Sequence, residues 1–397
     1  MVPDSVGWKK ASFRQILKLD RGSSPRPIVN YMTDRLDGVN WIKIGDTKNR
    51  DLYIDSTKER ITPEGAKKSR KVSKGEIILS NSMSFGKPYI LNIDGYIHDG
   101  WFVIRNYEEY LKKEFLIQIL SSELIQRQYQ RLAAGGVVSN ISSDLVYAVK
   151  INLPPLPEQK KIAQILSTWD QAITATERLL ENSQQRKKGL MQQLLTGKKR
   201  LPGFEGEFKA ISLSAAATIT MGTSPKSAAY NSIGDGLPLL QGNADIEGRR
   251  SKPRVFTSEI TKVCQPGDIL LSVRAPVGSV AISHHDACIG RGICAIKAKN
   301  KNNQEFLYQW MLWYEPRWAS LSQGSTFESV NSSDIKNLEI KLPEPAEQQA
   351  ISHVLSVADR ESELLENRLD QLKQEKKALM QQLLTGKRRV QVDTEAA

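Results

Sequence analysis

Asp334 followed by Glu339-Ile340-Lys341 is the arrangement most like a nuclease in the sequence. Two carboxylates near a lysine can hold a divalent cation and steady a developing charge. Such a pattern arises often by chance. The other half of the chain has Lys150 and Asn152 where Glu339 and Lys341 stand, so no catalytic role is assigned. His284, His285, Asp286, Cys288 and Cys294 form a second cluster with the right ligand types for a metal. Their spacing fits no zinc module and the first half has no equivalent, so they read as a turn histidine and buried thiols. The Thr-Gly-Lys at 196–198 lacks the rest of a phosphate-binding loop. There is no Gly-x-Ser-x-Gly elbow. Pro154 and Pro155 are the only adjacent prolines, and they do not form the Asn/Asp-Pro-Pro-aromatic signature of amino-methyltransferases. Cleavage and methyl transfer are therefore not expected of this chain, which reads as a binding protein with no metal or cofactor of its own.

Basic residues recur in equivalent places. Lys58, Arg60, Lys67, Lys68, Arg70 and Lys71 precede KGEIILS (74–80), and Arg249, Arg250, Lys252 and Arg254 precede PGDILLS (266–272). Flexible cations suit phosphate contacts, whereas Arg, Asn and Gln carry the paired groups that match base edges. Candidates for base reading are Gln241, Asn243, Arg274 and Gln323 in the second half, and Arg26, Lys43, Asn81, Ser82 and Asn140 in the first. Singly each could be a solvated surface residue; as recurring sets they point to double-stranded DNA. The formal charge of +12 agrees, with +7 over residues 1–152 and +5 over 153–200.

Something must position these groups, and the sequence shows it by repeating itself. MQQLLTGKKR (191–200) returns as MQQLLTGKRR (380–389), and at this offset 22 of 46 residues match between 153–198 and 342–387. Weaker echoes lie upstream: GSSP (22–25) and GTSP (222–225), KGEIILS and PGDILLS, EFLIQ (114–118) and EFLYQ (305–309), and SSD at 142–144 and 332–334. A period near 190 is too long for a solenoid, so each copy is a domain with its own core. The organisation expected is a globular domain at 1–152, a helical spacer at 153–200, a second globular domain at 201–341 and a second spacer at 342–397. The globular parts read as mixed α/β, with short apolar runs such as IILS, ILLSV, WFVIR and AVKINL between turn residues. A helical stretch at 108–131 has an aromatic-rich counterpart near 304–321.

The spacers read as long helices over 158–196 and 347–385. Pro157 opens the first, and Gly197 closes it in the left-handed conformation. Thirty-nine residues span roughly 58 Å. Steps of four and three carry an apolar seam through Ile162, Leu166, Trp169, Ile173, Leu180, Leu190 and Leu194. The second seam runs through Ile351, Leu355, Leu365, Leu369, Leu372, Leu379 and Leu383. Polar residues interrupt both: Thr176, Ser183 and Lys187 in the first, Ser362 and Lys376 in the second. Such seams are too narrow for a globular core and suit helix pairing. A pseudo-dyad between two equivalent halves makes the pair antiparallel.

This architecture, with LPPLPEQ…MQQLLTGK and LPEPAEQ…MQQLLTGK, resembles the specificity subunits of Type I restriction–modification enzymes across essentially the whole chain. The resemblance implies two target recognition domains on an antiparallel helical spacer, each reading half of a bipartite DNA site. It implies no catalysis by this subunit. Two modification subunits carrying S-adenosylmethionine dock on it, and restriction subunits join for ATP- and Mg-dependent translocation and cleavage. The alternatives are the recognition subunit of a Type IIB system, a self-contained nuclease or a coiled-coil scaffold. Three cysteines, no secretory leader in MVPDSVGWKK and no apolar run of roughly 18 residues lead us to expect a cytoplasmic protein.

Overall fold

The computed structural model describes residues 7–47, 52–81, 86–133, 141–299, 301–322 and 329–392. Two compact units emerge. The first joins residues 1–176 to 368–397, and the second is 177–367. Each therefore owns one globular domain, part of the central helix and part of the C-terminal helix.

In the first unit, the strand Ile77–Ser80 is buried along its whole length. It lies in a five-stranded sheet between Trp101–Arg105 and Pro88–Leu91, with Lys18–Arg21 and Tyr53–Ile54 at the edges. Alternation along these strands feeds two cores. Ile77, Leu79, Phe102 and Ile104 pack with Phe115, Leu116 and Ile119 of the helix Lys113–Leu120. Ile78, Trp101 and Val103 face Ile42, Val72 and Ile97 of a second, four-stranded sheet. Side chains that alternate across a strand make this two-sided burial possible. A short ladder of Lys9–Ser12 against Lys150–Leu153 closes the domain.

The second unit repeats the plan. Ile269–Ser272 is flanked by Ile293–Ala298 and Val280–Ile282 in a six-stranded sheet, against a five-stranded sheet. Ile269, Leu271 and Ile296 pack with Phe306, Leu307 and Met311, whereas Leu270 and Ala295 face Leu240 and Ile289. The ladder Lys209–Ser212 against Glu339–Leu342 is the counterpart closure.

Two local expectations change. The stretch at 108–131 is two helices, Lys113–Leu120 and Glu123–Ala133, because the Ser122 hydroxyl turns back onto the Ile119 carbonyl. Its counterpart is one helix, Gln304–Ser322, with Pro316 inside. The two SSD tripeptides are not equivalent either. Ser142 caps the helix Ser143–Ala148, but its structural counterpart as cap is Asn331, one residue before the second SSD.

The long helices are Leu156–Leu194 and Pro345–Leu383, each 39 residues and two positions earlier than the sequence suggests. Gly197 (φ 71°) and Gly386 (φ 76°) terminate them in the left-handed conformation. In the first unit Asp170 meets Lys376 at 2.6 Å, and Glu158 meets Arg389. In the second, Lys187 meets Asp359, the Ser183 and Ser362 hydroxyls lie 3.1 Å apart, and Arg200 meets Glu347. As one number rises the other falls, so the segments run antiparallel within each unit.

Seam burial is uneven along each helix. Ile162, Leu166, Leu194, Ile351, Leu355, Leu369, Leu372 and Leu383 are buried, while Trp169, Ile173, Leu180, Leu190, Leu365 and Leu379 are half-buried. The outermost residues also join the domain cores: Ile162, Leu166 and Leu383 enter one, Leu194, Ile351 and Leu355 the other. The polar interruptions are matched across the pair except Thr176, whose hydroxyl donates to the Ala172 carbonyl of its own helix. Lys376 and Lys187 each reach an aspartate on the facing helix. Asp170 also accepts from Gln118 at 2.6 Å, and Asp359 from Gln309 at 2.7 Å, which ties each domain to its helices.

The repeated decapeptide ends in a knot. Arg200 Nε donates to Glu347 at 2.7 Å and stacks on Phe208; Arg389 Nε donates to Glu158 at 2.8 Å and stacks on Trp8. The next residue, Gln159 or Gln348, accepts the Lys112 or Asn303 N–H and donates to the carbonyl of Pro154 or Pro343. Glu-Gln at one helix start and Thr-Gly-Lys-x-Arg at the other helix end thus satisfy each other inside the chain.

Candidate nucleic-acid interface

The Gly-Ser/Thr-Ser-Pro motif is a latch. The Gly22 N–H donates to Trp101 O and the Ser23 N–H to Ile97 O; Gly222 and Thr223 do the same to Ile293 O and Ile289 O. A Cβ on Gly22 would sit 1.9 Å from the His98 carbonyl oxygen, and one on Gly222 2.2 Å from that of Gly290, so neither position admits a side chain. The second serine ties the motif to the loop beside it: Ser24 Oγ donates to Asp99 at 2.8 Å, and Ser224 Oγ accepts the Arg291 N–H at 3.1 Å.

Beside each latch an aspartate fixes one candidate reader. The Lys43 N–H donates to Asp46 at 2.8 Å, and the Gln241 N–H to Asp245 at 2.8 Å. The second oxygen of Asp46 accepts the Lys58 N–H at 3.0 Å; that of Asp245 accepts Arg254 Nε at 2.9 Å. Sequence reading missed both aspartates. Aligning WIKIGD (41–46) with LLQGNAD (239–245), one residue longer, would have found them.

In the second unit this brace forms one wall of an open cleft of about 500 Å³. Gln241, Asn243, Arg254 and Arg274, four of the expected DNA-contacting residues, line it together. The other candidates are dispersed. Arg249 donates to the Val280 carbonyl and pairs with Glu315; Arg250 lies 3.8 Å from Glu363; Lys252 pairs with Glu247. In the first unit, Lys43 pairs with Glu59 and Arg26 lies 3.6 Å from Asp99. Arg70 donates to the Arg21 carbonyl, and Arg60 to the carbonyls of Arg35, Leu36 and Gly38. Lys68 stands over the Tyr31 ring. Lys67 and Lys71 are exposed and make no ion pair among the described residues. Asn81 is only 3% exposed and gives its amide to the Asp99 carbonyl at 2.7 Å. Ser82, Asn140 and Gln323 lie outside the described residues.

The residues with catalytic or ligating chemistry have ordinary duties. Asp334 accepts the Asn331 N–H at 3.0 Å in a helix cap, and Glu339 and Lys341 point outward from the closing ladder. His285 Nδ1 lies 2.7 Å from the Ser251 hydroxyl. Burial pushes the Cys294 thiol up to about 12, out of the reactive range. Among the described residues no group of three His, Cys, Asp or Glu side chains could hold a metal, and no helix is long and apolar enough to cross a membrane.

The family pattern described as Type I restriction modification DNA specificity domain matches residues 5–182 and 246–374. The chain belongs to the Type I restriction–modification specificity subunits. That is a non-catalytic family. Among its relatives, the putative type I restriction enzyme MjaX specificity subunit of Methanocaldococcus jannaschii is 30% identical, over 96% of this chain and 94% of its own. The EcoKI specificity subunit of Escherichia coli is 25% identical over 48% of this chain and 42% of its own. Among solved structures, a chain from work on assembly and conformational transition of the type I R-M system matches with a TM-score of 0.66 and 26% identity. That match covers 97% of this chain and 99% of the other. The S subunit of M. genitalium shares the fold, with a TM-score of 0.62 at 14% identity, 97% of this chain and 98% of its own.

Proposed function

We propose that this specificity subunit reads a bipartite DNA site, residues 1–152 taking one half and 201–341 the other. The helical segments 153–200 and 342–397 set the gap between them. Two modification subunits, carrying S-adenosylmethionine, dock on the repeated halves and methylate adenines. Restriction subunits, with ATP and Mg²⁺, join through that complex in the cytoplasm. The observation that carries this reading is the recurrence of one local device in both units: a glycine latch beside an aspartate that fixes the backbone of a half-buried Lys43 or an exposed Gln241. Duplicated readers with different side chains suit two different half-sites. Adenine-methylation mapping of DNA from cells carrying the complete system tests it. Two short specified segments separated by an unspecified gap are expected. Replacing residues 1–150 with those of a relative should change one segment alone; a change in both, or a single uninterrupted site, would refute the assignment.

A further inference from the structure

We propose that Arg274 and Gln241 are the base-reading pair of the second unit, Arg274 taking a guanine and Gln241 a neighbouring adenine. The inference rests on the DNA-reading function above and names the side chains that carry it. A reader needs a fixed backbone, a free side chain and groups that match a base edge. Gln241 has all three. Its N–H is held by Asp245, and the preceding carbonyl of Leu240 accepts the Gly290 N–H at 2.8 Å. A Cβ at Gly292 would sit 2.2 Å from the Gln241 carbonyl oxygen, so the turn before the strand Ile293–Ala298 presses close. The Gln241 side chain stays exposed at the cleft.

Arg274, which also lines the cleft, is pinned as firmly. The buried Ser272 hydroxyl lies 2.9 Å from the carbonyl oxygens of both Arg274 and Pro276, and Arg274 forms a β-bridge with Ser329. Its side chain is exposed, and among the described residues it makes no ion pair. Arg254, the other arginine of the cleft, differs in this respect. Its guanidinium sits on Asp245, whose side chain is 4% exposed, so Arg254 completes the brace. A guanidinium with no carboxylate to leave can donate two of its N–H groups to guanine O6 and N7, and a carboxamide matches adenine N6 and N7.

The test is adenine-methylation mapping with the whole system carrying Arg274→Ala, Arg274→Gln or Gln241→Ala. Arg274→Ala should relax one guanine position in one half-site, with discrimination falling on the order of 10- to 100-fold. The other half-site should stay intact and so report an assembled complex. Gln241→Ala should relax a neighbouring adenine in the same half-site. Arg274→Gln gives the same readout should the alanine variant fail to assemble, its guanine preference being lost in the same place. Unchanged half-sites would overturn the proposal. So would a uniform loss of binding across sequences with a salt slope reduced by about one, the signature of a phosphate contact. A wild-type system that methylates no bipartite site would instead overturn the function on which the proposal rests.

Discussion

A glutamate shut away from water needs a cation, and at each helix start the chain supplies one from a repeated arginine. Glu347 is fully buried against Arg200. Arg200→Ala leaves that carboxylate uncompensated, which is the costly way to break such a pair. The second unit should unfold at lower temperature, and Glu347→Gln on that background should recover part of the loss. Equal melting of Arg200→Ala and wild type would show the knot to be inert. A second prediction concerns His98, whose Nδ1 accepts the Gly100 N–H at 2.7 Å. Desolvation lowers its pKa below the usual 6.5, against the opposing pull of Asp99. The folded state then favours the neutral ring, while the unfolded chain takes up a proton near pH 6.5. Stability from this group is complete above that pH and is lost as pH falls toward the lower folded value. Thermal midpoints should therefore drop below about pH 6.5, and His98→Gln should flatten that part of the profile. At this scale the sequence was only partly legible. Arg274, Gln241 and Asn243 could be picked as candidates by type, and the structure places them on one cleft. Asn81 was picked by type too, yet it is buried on the Asp99 carbonyl, because whether a polar group faces a ligand or its own backbone depends on loop geometry. Asp46 and Asp245 show only when the two loops are aligned with a one-residue gap.

The helices were the most legible elements, since a seam repeating over 39 residues overrides local noise. The cap glycines were legible for a local reason, because a left-handed stop favours that residue. Less visible were the partners of the polar seam positions. Asp170 and Asp359 lie off the seam, and Gln118 and Gln309 come from helices far away in sequence. The break at Ser121–Ser122 was hidden because a helical stripe continues through it. Leu166, fully buried where the helix enters the first core, should cost about 2–5 kcal/mol as Leu166→Ala. Leu179, on the exposed side at 56%, should cost roughly nothing as Leu179→Ala. Chemical denaturation measures both, and equal costs would contradict the seam described here. Gly386→Ala faces both the left-handed backbone and the Trp8 ring 3.1 Å from its new methyl; it should cost about 1 kcal/mol or more.

For the whole molecule the claim is that two readers are spaced by a helix pair common to both. Each long helix is continuous from one unit into the other, so its length is available as a ruler. The register says how to alter it. Ser183 faces Ser362, so matched insertions belong beside those two residues, where they leave the pairing on either side intact. Seven residues in each helix preserve the seam and add roughly 10 Å, about three base pairs of DNA. The decisive measurement is the methylated motif of the complete system carrying both insertions. Both half-sites should keep their bases while the unspecified gap grows by about three base pairs. An unchanged gap, in a complex that still methylates, would contradict the account.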